Sequence, residues 1–183
     1  FFGGNVSFSQ TNDSCNSLQS RLRILHRSAH LVDGHYVTST HSWIDNREPI
    51  PYTQDFGELT VARIHKSPTI NLRYYGGLAY ASLVRPSNIE RYSYFIGSEI
   101  ATENVFGKIF HHPANLFLAY HLSLTGEPTY HATHQIQAGV KFGNWFEKGV
   151  TIYLGYFNGT HMLGEYYDQR LTTLGVGFTI DFN

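Results

Sequence analysis

The chain has 183 residues, with 13 basic side chains against 14 acidic ones and 15% aromatic residues. That length fits one domain spanning residues 1–183, and the near-neutral charge, with no polybasic run, gives no electrostatic footing for a nucleic-acid partner. Mean hydropathy is −0.26 and no stretch approaches the roughly 20 consecutive apolar residues of a membrane helix, which excludes a helical membrane protein. A β-barrel is not excluded, because half of each strand faces inward and dilutes hydropathy.

Period-two alternation predicts strands at 2–9, 19–31, 36–44, 58–65, 70–85, 90–101, 115–124, 131–143, 149–158 and 170–182. In the second, Leu22, Ile24, His26, Ser28 and His30 share one face, and Arg21, Arg23, Leu25, Arg27 and Ala29 the other. From residue 70 onward the rule is regular: Leu72, Tyr74, Leu78 and Tyr80 alternate with Arg73, Tyr75, Gly77 and Ala79. The last segment sets Leu174, Val176, Phe178, Ile180 and Phe182 against Thr173, Gly175, Gly177, Thr179 and Asp181. One face suits lipid and the other a crowded polar interior, and many of the 13 Tyr and 13 Phe fall near strand ends, as in the aromatic girdles of membrane barrels.

The expected fold is therefore all-β: a transmembrane antiparallel β-barrel of about ten strands in a bacterial outer membrane. Closure follows from solvation, since the unpaired edge of an open sheet would find no water in lipid. The inward Arg73, Arg91, Glu99, Lys141 and Asp181 are expected to neutralise one another inside it. If the last strand runs toward the periplasm, residues 85–91, 125–130 and 158–169 are extracellular and 142–149 form a periplasmic turn. Near the N-terminus two readings stay open. Asp33-Gly34 is either a tight periplasmic hairpin turn in a ten-stranded chain, or residues 34–56 are one long extracellular loop. In the second case nine strands remain, an even-numbered barrel needs at least one more before Phe1, and the intact protein would reach ten to twelve strands. The start at Phe1, inside a strand-like stretch, suits a mature exported chain or an incomplete one. Cys15 is the one cysteine, so no internal disulfide is possible.

One segment has the makings of chemistry. His26 and Ser28 fall on the face that begins with Leu22 and Ile24, and a hydroxyl two residues from an imidazole on one strand face suits general-base activation of a serine nucleophile. The orienting group is then Asp33, the nearest carboxylate, or a second imidazole, His30 or His41. The competing reading makes these residues interfacial polar groups meeting lipid headgroups.

The run LHRSAHLVDG, with RYYGGLAY at 73–80 and GYFNGTHMLGEYYDQRLTTLGVGFTIDF at 155–182, resembles the bacterial outer-membrane family labelled domain of unknown function 1207. In that family a His-x-Ser-x-His segment precedes an Asp-Glu pair; Gly34 stands where the family often has Glu. The family's N-terminal portion is shortened or absent, in keeping with an incomplete chain. The terminal strand is similar to the assembly signal of outer-membrane proteins at Thr173, Gly175, Phe178 and Ile180. The His-x-Ser pattern is also similar, at His26 and Ser28, to the active sites of outer-membrane phospholipase A and the lipid A 3-O-deacylase.

The eleven histidines lack metal-ligand spacing: His111 and His112 point opposite ways on a strand, as do His131 and His134. No metal and no cofactor is expected. The inward Arg21, Arg23 and Arg27 either pair interior carboxylates or attract an anion such as phosphate. Two functions of different class remain: a structural or scaffold barrel, partnered by outer-membrane lipids and a larger membrane assembly, and a lipid esterase using His26, Ser28 and Asp33 or His30. A small-solute channel ranks third, because so few strands leave little room.

Overall fold

The computed structural model describes residues 2–13, 15–29, 36–46, 48, 50–109, 111–161 and 164–182. The chain is all-β and antiparallel. Its strands are β1 (Phe2–Asp13), β2 (Asn16–Ala29), β3 (Tyr36–Val37), β4 (Ser42–Trp43), β5 (Tyr52–Lys66), β6 (Ile70–Arg85), β7 (Tyr92–Thr102), β8 (Lys108–Ile109), β9 (His112–Gly126), β10 (Tyr130–Phe142), β11 (Gly149–Thr160) and β12 (Arg170–Asp181). Among the described residues helix is confined to two single 3-10 turns, Ile44–Asn46 and Gly164–Tyr166. No helix among the described residues is long and apolar enough to cross a membrane.

Nine long strands form one meander in the order β1-β2-β5-β6-β7-β9-β10-β11-β12, with the two-residue β8 paired beside β9. The expected strand at 36–44 is not part of it: β2 pairs directly with β5, from Asn16↔His65 to Ala29↔Tyr52, and this stretch holds only the small β3–β4 hairpin. Its residues explain the departure. Tyr36, Thr38, Thr40 and Ser42 alternate with Val37, Ser39, His41 and Trp43, so neither face is apolar enough to bury or to meet lipid. The chain leaves β2 and re-enters β5 at the same end of the sheet, as the long-loop reading requires; the Asp33-Gly34 turn itself lies outside the described residues.

Among the described residues no ladder joins β1 to β12. The sheet is nevertheless rolled, because Gln19 of β2, Arg73 of β6, Gln137 of β10 and Thr179 of β12 line one interior cavity of about 480 Å³. Nine antiparallel strands also leave β1 and β12 running in the same direction.

The two faces differ as the alternation predicts. Outward residues such as Leu22, Ile24, Leu59, Leu78, Ile96, Leu118, Ile152 and Val176 are all exposed. The inward face is polar and interlocked. Arg23 clasps Glu58 through Nε at 2.9 Å and a terminal nitrogen at 2.5 Å, Arg73 meets Glu99 at 3.3 Å, and Lys141 Nζ donates to Asp181 at 2.6 Å. Of the five inward charges expected to neutralise one another, Arg73, Glu99, Lys141 and Asp181 do so as two ion pairs; Arg91 departs, since among the described residues it meets no carboxylate and donates to the Ala81 and Ser82 carbonyls. Glycines admit inward rings: Tyr75 lies over its cross-strand partner Gly97, Phe95 over Gly77 and Tyr153 over Gly177. The apolar core sits at one end, where Tyr52, Ala81, Val84, Ile89 and Tyr167 form a cap over the interior. At the other end Asn115, fully buried, ties two turns by accepting from the Asn104 amide at 2.8 Å and donating to the Gly143 carbonyl at 2.6 Å.

Candidate functional site

On the outward face, a polar patch on β2 and β5 interrupts the apolar surface near the cap end. Strand pairing places His26 opposite Asp55 and Ser28 opposite Thr53, and parity sends all four side chains outward with Leu22 and Ile24. His26 Nδ1 lies 2.5 Å from Asp55 Oδ1, and the Phe2 ring stacks on the imidazole with centroids 4.6 Å apart. The imidazole is thus held on one edge by a carboxylate and on one face by a phenyl ring. Among the described residues its Nε2 makes no hydrogen bond, and a carboxylate on the other ring nitrogen is an arrangement that fixes the tautomer and orientation of an imidazole.

A bulge lies beside this pair. Asp55 is opposite Leu83 while Phe56 is opposite Ala81, so Ser82 is an extra residue, and its hydroxyl donates to the Asp55 carbonyl at 3.3 Å. Bulges bend a strand and re-aim side chains, and they concentrate beside functional sites.

Ser28 is half-buried and makes no hydrogen bond to His26. The two Cα atoms, two residues apart on one strand face, are separated by about 7 Å. Of the five residues that the sequence nominated, His26 and Ser28 share the outward face of β2, His41 lies in the turn between β3 and β4 outside the nine-strand sheet, and His30 and Asp33 lie outside the described residues. Asp55 was missed because the predicted fourth strand began at Glu58. Carrying the alternation of Val61, Leu59 and Gly57 back two more positions puts Asp55 outward, and pairing with β2 puts it beside His26.

The height of the patch is set by the tyrosines. Tyr80 pairs with Tyr92, their rings 5.1 Å apart, and Tyr94 and Tyr130 lie alongside at 6.4 Å, all exposed on the outward face. Gly57 of β5 is opposite Tyr80, so the His26–Asp55 row lies two residues, about 7 Å along the strand, past this belt toward the cap. Tyr52, five residues past it, is buried under the cap and donates to Glu127 at 2.6 Å. Burial, reinforced by the Glu127 carboxylate and opposed by Arg27, raises the Tyr52 phenol well above its ordinary range, so it acts as a neutral donor. Among the described residues no three His, Cys, Asp or Glu side chains converge as metal ligands.

The fold and patch define a rolled antiparallel β-sheet protein with an apolar exterior, a charged interior and a His–Asp pair on its outer surface. The chain belongs to the DUF1207 family of proteins of unknown function, whose model matches residues 5–182. No curated protein and no solved structure matches it significantly.

Proposed function

We propose that this chain is a transmembrane β-barrel of the bacterial outer membrane and that its outward polar patch is an acyl-ester hydrolase site for membrane lipid. The membrane reading is supported by the outward belt. On β6, outward residues run from Ile70 to Tyr80, and ten residues cover about 33 Å along a strand, which at the usual barrel tilt is close to the roughly 25 Å height of a membrane-embedded apolar band. Arg63 is a charged residue exposed on this face, and its long side chain suits snorkelling to the interface. Closure of an antiparallel barrel from nine strands whose ends run parallel takes one further strand, or another odd number, between β1 and β12.

The observation that carries the hydrolase reading is the His26–Asp55 hydrogen bond on the same face as Ser28. In the proposed reaction Ser28 Oγ forms a bond to the ester carbonyl carbon and passes its proton to His26 Nε2. The C–O ester bond breaks, the proton goes to the leaving alkoxide, and water, activated by the same imidazole, releases the fatty acid from Ser28. Asp55 takes the orienting role for which the sequence offered Asp33 and His30. The position of the patch just past the tyrosine belt suits a site at headgroup height, where the ester bonds of phospholipid and lipid A lie.

The test is mass spectrometry of lipids after incubating the folded protein, and its Ser28→Ala variant, with phospholipid and lipid A. Deacylated lipid from the first alone supports the proposal; no product from the native protein, or equal product from both, sinks it. A scaffold role without catalysis is the second reading, favoured by the lack of a Ser28–His26 hydrogen bond. The ion pairs that cross the interior argue against a solute channel.

A further inference from the structure

The interior holds a second feature, on the opposite face of β2 from His26 and Ser28. A cavity of about 250 Å³ under the cap is lined by four guanidinium groups, Arg21, Arg23, Arg27 and Arg91, and two carboxylates, Glu58 and Glu127, an excess of two positive charges. Arginine does not shed its proton to relieve such an excess, and an uncompensated charge in an enclosed interior is costly.

The four arginines are not equally occupied. Arg23 is clasped by Glu58, and Arg91, exposed at the cavity's edge, donates to two backbone carbonyls through one terminal nitrogen, leaving its other two nitrogens outside these bonds. Arg27 meets Glu127 only at 3.8 Å, beyond hydrogen-bond length, and Glu127 is already engaged by the Tyr52 phenol. Among the described residues Arg27 makes no hydrogen bond, yet its side chain is only 28% exposed and its guanidinium carbon lies over the Tyr52 ring, 4.7 Å from the centroid. Arg21, with one contact at 3.6 Å, is 44% exposed and lies six residues, about 20 Å, along β2 from Arg27, too far to share one small ion. Arg27 is therefore an enclosed, oriented fork with donors to spare. Ser93, Ser123 and Thr125 add hydroxyl groups to the wall.

We propose that this cavity binds a small oxyanion of the phosphate class, anchored by Arg27 with Arg91 as the second cation. With Arg21 set aside, Arg23, Arg27 and Arg91 exceed Glu58 and Glu127 by one positive charge, which such an ion neutralises; its oxygens match the bidentate geometry of a guanidinium, and the cavity is below the roughly 300 Å³ at which drug-sized ligand pockets begin. The same chemistry is offered by free phosphate and by a phosphate carried on a lipid or sugar headgroup.

The experiment uses the folded full chain in a phosphate-free detergent. Inorganic phosphate in one arm and glycerol phosphate in the other are titrated against it by ³¹P NMR in chloride buffer. Saturable binding with a dissociation constant of about 1 mM or tighter, weakened at least tenfold in Arg27→Gln and unchanged in Arg63→Gln on the outer face, is the expected result. Binding of inorganic phosphate alone assigns a free ion; equal or tighter binding of the ester assigns a headgroup. In parallel, phenylglyoxal modification of Arg27 in the native protein, mapped by peptide mass spectrometry, should be slowed by the bound anion, a readout that does not depend on a variant folding. No saturable binding to the native protein, or binding that leaves Arg27 reactivity unaltered, overturns the proposal.

Discussion

Replacing Gly97 by Ala tests the interior packing more sharply than removal of any large residue. A methyl group at Gly97 would stand 2.3, 2.4 and 2.7 Å from Cζ, Oη and Cε1 of Tyr75, where ordinary carbon contacts lie at about 3.5–4.0 Å. The ring must then swing by about 1 Å at its far end. Its phenol is 2.9 Å from His121 Nδ1, and a displacement of that size carries the pair past hydrogen-bond length. Loss of the bond costs about 1 kcal/mol, and disturbing a ring that also packs on Phe95 and His121 adds about 1–2 kcal/mol. The expected destabilisation is thus about 2–3 kcal/mol. Gly76→Ala is the matched control, since its methyl would meet the nearest atoms at an ordinary 3.6 Å, and it should cost under about 0.5 kcal/mol beyond propensity. Urea unfolding in detergent, followed by the fluorescence of Trp145 against Phe117, measures both. The reasoning also requires strong coupling: in a Tyr75→Ala background Gly97→Ala should cost almost nothing. Equal costs in the two backgrounds would refute it.

Other outcomes follow from the same geometry. Lys141, 7% exposed, donates to Asp181 and to the carbonyls of Trp145 and Glu147, so Lys141→Met should cost about 2–3 kcal/mol. Asp181 is 47% exposed, and Asp181→Asn should cost under about 1 kcal/mol; the reverse order in unfolding titrations would contradict the assignment of Lys141 as the buried partner. In vesicles containing brominated acyl chains, and with Trp43 and Trp145 replaced by Phe, the fluorescence of Ile96→Trp should be quenched and that of Phe95→Trp spared, because adjacent residues face opposite solvents. Similar quenching at both would count against a membrane-spanning sheet. Folding favours the neutral Tyr52 phenol, so its contribution to stability is complete below the unfolded phenol pKa of about 10 and is lost as pH rises above it. Unfolding titrations from neutral to alkaline pH should show that loss, and Tyr52→Phe should flatten it.

The long strands were legible because their alternation reports two faces at once. Leu72, Tyr74, Leu78 and Tyr80 against Arg73, Tyr75, Gly77 and Ala79 admit one assignment of outside and inside. The stretch at 36–44 was misread because β-branched and aromatic residues imitate a strand even where neither face is apolar; composition suggested pairing, and the direct β2–β5 ladder prevented it. Half of the candidate site was visible, since His26 and Ser28 share a local face set by period two. Asp55 was not, because it reaches His26 only through a register between strands 29 residues apart. The partner of each interior charge was hidden for the same reason: Arg23 chooses Glu58, and Arg91 chooses backbone carbonyls, according to how the sheet rolls.

The claim on which the function rests is that His26, oriented by Asp55, activates Ser28. The most direct measurement is labelling of the folded protein in lipid vesicles with a fluorophosphonate, a probe that captures activated serines, followed by peptide mapping. Modification at Ser28 that falls at least tenfold in His26→Ala and clearly in Asp55→Asn is the expected result. Absence of label at Ser28 in the native protein, or label that persists without His26, would contradict the account and leave the patch as a set of headgroup contacts on a non-catalytic barrel.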